Sequence, residues 1–136
     1  MNTVQTATLA LLLLAVVSEP SIAGDSHYEC IVVSAGKLTE EGTLSPHWTN
    51  KSIVGAKFTV DRVTGRIIGG PLDNSNMKIE VIDKGSNEMS FQSFSKSTIR
   101  THSTYIEIQE FMPGEGKPFV GTTTLYYPGV YSGICR

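Results

Sequence analysis

Only two cysteines occur in this 136-residue chain, and they stand near its opposite ends, Cys30 in "SHYECIVVS" and Cys135 in "GVYSGICR". A bond between them closes a loop of about 105 residues, worth roughly 4.7 kcal/mol in the chain-entropy account of disulfides. It also fixes geometry. Bonded cysteines hold their α-carbons within about 7 Å, so the first and last segments of the fold must be neighbours. Whether the thiols pair depends on the compartment, and that is written at the N-terminus.

Residues Ala7 to Val17, "ATLALLLLAVV", are continuously apolar. The run is short for a bilayer span, which takes about 20 residues. Ser21 and Ala23 in "SIAG" are small residues at the −3 and −1 positions that a signal peptidase prefers. Residues 1–23 therefore read as a secretory signal peptide, although "MNTVQT" brings no Lys or Arg to its start. A retained anchor is the alternative. Cleavage after Ala23 leaves residues 24–136 as a single domain with no further run of spanning length. In an exported chain an even number of cysteines is normally paired, so Cys30–Cys135 is expected as a structural staple. The expected location is periplasmic or secreted.

The mature chain alternates as strands do. In "YECIVVS" Tyr28, Cys30 and Val32 share one side, while Ile31 and Val33 take the other. "GKLTEEGTLSPHWTNKS" reads as a long polar connection. "AKFTVDRVTGRIIGG" reads as a hairpin, with Asp61 placed to bond backbone amides and Gly65 to supply a positive φ. "MKIEVID", "EMSFQSFS", "TYIEIQEF", "FVGTTTLYY" and "VYSGICR" follow between turn clusters. No segment after the leader carries the i, i+3, i+4, i+7 pattern of an amphipathic helix. About eight short strands predict an all-β domain. The expected form is a small antiparallel meander in a closed or partly open barrel, with a β-sandwich as the alternative. In the barrel the disulfide would clasp the seam.

Chemistry is harder to find. The motifs of a nucleophile elbow, a zincin helix and a phosphate loop are missing from the sequence. His27, His47 and His102 are far apart, and "LDNSN" fails as a calcium loop because Lys78 and Lys84 stand where Gly and Glu are needed. It reads instead as an Asx-type turn around Asp73. Glu80, Glu107 and Glu110 offer carboxylates, but the first two share faces with Lys78 and Gln109, as on a solvated surface. The hydroxyls of "SFSKSTIRTHST" have no identifiable base beside them. No catalytic residue, metal site or cofactor is assigned. Cleavage one residue later would begin the chain Asp25-Ser26-His27, a Cu(II)- or Ni(II)-type nitrogen set; cleavage after Ala23 spoils it.

What remains is aromatic. Tyr126, Tyr127, Tyr131 and Trp48 are weak candidates for a ligand surface, because such rings give large contact area with a polar tip. The formal net charge is −2 without a block of Lys or Arg, which argues against nucleic acid as partner. The leading expectation is a non-enzymatic β-domain binding a small molecule or peptide in the mouth of the barrel, an expectation that a filled interior would defeat. The alternatives are a protein–protein interaction module or inhibitor in the cell envelope, and a hydrolase whose site is assembled only by folding.

At "FTVDRVTGRIIGGPLDN", "EVIDKGSNEMSF" and "GVYSGIC" the chain resembles a family of small exported bacterial proteins of uncharacterised function, which share a signal peptide, an "FTxDRxTGxIxG" hairpin and a closing "YSGxC". The resemblance implies a bacterial periplasmic setting and carries over no catalytic or binding residues. In that setting the sequon "NKS" at Asn50 has no glycosylation role.

Overall fold

The computed structural model describes residues 26–46, 50–124 and 128–136. The leader, His47, Trp48, Tyr126 and Tyr127 lie outside the described residues. The strands are β1 (His27–Leu38), β2 (Leu44–Pro46), β3 (Lys57–Asp61), β4 (Ile67–Ile68), β5 (Lys78–Lys84), β6 (Phe91–Lys96), β7 (Ser103–Ile108), β8 (Lys117–Thr123) and β9 (Gly129–Cys135). One helical turn, α1 (Asn50–Ile53), precedes β3.

All nine strands belong to one antiparallel sheet in the order β4-β3-β1-β9-β8-β7-β6-β5, with β2 added to the far end of β1. The domain is a partly open barrel, and a single sheet rules out the sandwich. Around the curl this is the expected meander: β5 to β9 follow in sequence, β9 closes against β1, and β3 and β4 continue on the other side of β1. The segment expected as a long connection is partly ordered as well: β1 runs on to Leu38 and turns back through Gly42, at φ 78°, into β2.

Cys30 and Cys135 stand opposite each other in the β1–β9 ladder and are bonded, with α-carbons 3.9 Å apart. The bond clasps the junction of the first and last strands, as expected, but that junction is not the opening of the sheet. The β3–β4 hairpin pairs with the free side of β1, so the terminal strands become the middle of the sheet and the opening falls between β4 and β5. Turn chemistry makes that hairpin. The Asp61 carboxylate accepts bonds from Val63 N and Thr64 N at 2.8 Å, and those amide bonds, the one from Thr64 foremost, hold its pKa below the usual value. Gly65 takes φ 72°.

Alternation sorts the side chains. Tyr28, Cys30 and Val32 of β1, Phe58 and Val60 of β3, Ile106 and Ile108 of β7, and Phe119 of β8 are buried on the concave face. Ile67 from β4 and Phe91 from β6 are fully covered. Leu72, from the β4–β5 connection, also enters the curl and is 0% exposed. A Cβ on Gly121 of β8 would lie 2.4 Å from its Cδ1, so glycine there is what lets Leu72 reach the middle. Aromatic contacts complete the filling: Phe58 meets Phe119 edge-on at 5.2 Å, and Tyr28 meets Phe91 at 5.5 Å. The interior is occupied by side chains, so the place expected for a ligand, the mouth of the barrel, is filled.

Candidate functional site

The seam between β4 and β5 is bridged by side chains rather than by a backbone ladder. Asn74, 1% exposed, does most of it. Its Oδ1 accepts from Ile67 N at 2.7 Å while its own backbone N–H donates to Ile67 O, so one residue serves β4 as a strand partner would. Its Nδ2 donates to Gly65 O at 3.1 Å and to Ser95 Oγ on β6 at 3.2 Å. Ser95 Oγ in turn donates to Thr104 O. The neighbouring Asp73 makes the expected turn: burial raises its pKa, but N–H bonds from Gly69 and Ser75 outweigh this and lower it.

A second bridge lies at the end where the β3–β4, β5–β6 and β7–β8 turns gather. Glu110 accepts the Tyr28 hydroxyl at 2.8 Å on Oε2 and Arg62 Nη2 at 2.5 Å on Oε1. The Arg62 guanidinium also lies 4.9 Å from the centre of the Tyr28 ring. Burial first, then the bond to Glu110 and its charge, push the Tyr28 phenol well above its ordinary pKa, with Arg62 opposing. Of the three carboxylates considered from sequence, Glu110 is therefore structural. Glu80 is exposed on the outer side of β5. Glu107 takes the hydroxyls of Ser90 and Tyr105 at 2.8 and 3.0 Å. Burial and this neighbour push Tyr105 up to about 12.

His102 Nε2 lies 3.0 Å from Thr123 Oγ1, with Thr104 Oγ1 a further 3.5 Å away. Folding thus brings His102, itself part of the hydroxyl-rich stretch, against a hydroxyl on β8 that spacing did not reveal. Burial lowers the His102 pKa, favouring the neutral ring. Thr123 is only 6% exposed, so little of this pair is open to a substrate. Among the described residues no three His, Cys, Asp or Glu side chains gather as a metal site, and no helix there is long and apolar enough to cross a membrane.

Of the aromatic candidates, Tyr131 is described. It points into the core at 4% exposure, burial raising its pKa. It also borders a hollow of about 350 Å³ between β1, β2 and β9.

The larger space is on the convex side. A groove of about 780 Å³ crosses β4, β3, β1 and β9 directly behind the disulfide. Two rows of outward side chains build it. In one, Lys57 of β3 stands opposite Ile31 of β1, and Ile31 opposite Ile134 of β9. In the next, Ile68 stands opposite Thr59, Thr59 opposite Glu29, and Glu29 exchanges both backbone bonds with Arg136. Ile31 and Ile68 remain 39% and 54% exposed. The floor is aliphatic and the rim carries charge. The sequence signal for it was present in part: Ile31 and Val33 were on the wrong side of β1 for a simple core, but nothing in the chain showed that Ile134 and Ile68 would join them.

The chain matches no family model, no curated protein sequence and no solved structure.

Proposed function

We propose that the mature chain is an exported, non-enzymatic binding domain that holds a small molecule or peptide on its convex face. The observation that carries this reading is the 780 Å³ groove across β4, β3, β1 and β9, set against an interior occupied by Leu72, Phe91 and their neighbours. The volume is in the range of ligand pockets, and the mix of aliphatic floor with a few polar groups is what such sites use. The location rests on the disulfide, which fits an oxidising periplasmic or extracellular compartment.

Native mass spectrometry of protein recovered from an oxidising compartment tests this. Bound mass that leaves on denaturation, and is missing from an Ile31→Asp variant with an intact disulfide, is the expected result. Bound mass that Ile31→Asp retains would move the ligand elsewhere.

A protein–protein module is the second reading. Val63, Met89 and Phe111 stand 66%, 53% and 42% exposed on the three turns gathered at the Glu110 end. Clustered apolar tips on fastened turns suit a partner surface. Cross-linking from those turns in the cell envelope distinguishes the two.

A further inference from the structure

We infer that the convex groove takes an aliphatic carboxylate, laid across the strands with its head at Lys57 and its tail over Ile31 and Ile134. This inference rests on the convex-face reading of function and adds the chemistry of the ligand.

The register decides it. One row runs Lys57, Ile31, Ile134 and then Pro118, on β3, β1, β9 and β8. It has a cation at one end and nonpolar side chains along the rest. Within the groove two strand spacings separate Lys57 from Ile134, about 10 Å, the reach of an extended chain on the order of eight carbons. The charges separate as well. Glu29 and Arg136 face each other in the neighbouring row, joined by backbone bonds and not by an ion pair between their side chains. Lys57 faces Ile31 instead and makes no ion pair with another described residue. An ammonium at the edge of an aliphatic floor is suited to a charge-assisted bond from a carboxylate. The groove is open along the tail, so shortening the ligand weakens it gradually, roughly two- to fourfold per methylene.

The test uses the mature, disulfide-bonded protein labelled with ¹⁵N. It is titrated with decanoate and separately with decylamine, both below the concentrations at which they aggregate. Saturable shifts of the Ile31, Lys57 and Ile134 amides with decanoate are expected, with decylamine at least tenfold weaker. Lys57→Glu is expected to reverse that order, which a merely structural lysine would not do. Equal binding of both probes, or a preference untouched by Lys57→Glu, overturns the carboxylate while leaving the convex groove as the binding surface. Silence at these amides toward both probes overturns it too, and the Ile31→Asp native mass then decides separately on the functional reading. Shifts of the same amides on concentrating the protein alone would assign the groove to a second copy of the chain and overturn the inference.

Discussion

The middle of the sheet and its two open edges are held together by different means. At the middle, Cys30 and Cys135 are joined covalently and each also has a backbone partner on its other side, Phe58 and Lys117. Beside the opening, side chains tie distant parts of the curl: Asn74 joins β4 to Ser95 of β6, and Glu110, just after β7, holds Tyr28 of β1 and Arg62 of the β3–β4 turn. The disulfide acts chiefly on the unfolded chain, whose freedom it restricts. The side-chain bridges act on the native curl, together with the apolar packing that covers the concave face. Convex-face geometry belongs to the first region and interior packing to the second.

The comparison breaks most easily at the disulfide. Replacing both cysteines with serine is expected to lower the urea-derived stability by about 2–5 kcal/mol. The loss should appear in the midpoint of unfolding, since the ladders flanking β1 and β9 remain. A loss below the lower bound would mean that the middle is held by its hydrogen bonds and that the staple is secondary.

Asn74→Ala comes next. It strands the Ile67 N–H, the Gly65 carbonyl and part of the Ser95 hydroxyl in a buried place, at a cost of about 1–3 kcal/mol. Hydrogen exchange sharpens the contrast: the Ile67 amide should lose protection well before that of Ile134. Equal loss at both would show that seam and middle open as one unit.

The smallest effect concerns the Tyr28–Glu110 bond. The folded state raises the Tyr28 pKa above its ordinary value of 10.0, so the unfolded chain releases this proton first. Stability from the bond is therefore complete below about pH 10 and is lost as pH rises beyond it. Tyr28→Phe is expected to cost about 0.5–1.5 kcal/mol at neutral pH and to flatten the alkaline fall in stability. Some slope should survive, because Tyr105 and Tyr131 are raised as well. An unchanged alkaline slope would remove Tyr28 from the seam's accounts.

Alternation and turn residues are local properties, and they were enough for the all-β class, the β3–β4 hairpin with Asp61 and Gly65, and the turn at Asp73. Where the pattern is interrupted the reading was less complete. The segment "EMSFQSFS" was expected as strand from its start, yet Met89 lies exposed before β6 begins at Phe91. One-residue irregularities at Val33 and Ile82 shift the register of β1 and β5, and both side chains are exposed. Asn74 looked like one more turn residue of "LDNSN". Its role depends on Ile67, Gly65 and Ser95 being brought around it, which no spacing announces.

By itself the sequence determined that two distant cysteines, once bonded, would make neighbours of the segments that carry them, because a disulfide has a short reach. Only the tertiary structure decided which strands would be edges. That choice depends on the β3–β4 hairpin adding to the far side of β1, a long-range pairing with no local signature. The same choice filled the concave side with Leu72 and aligned Lys57, Ile31 and Ile134 across three strands on the convex one, since strand order and register set which distant side chains share a row.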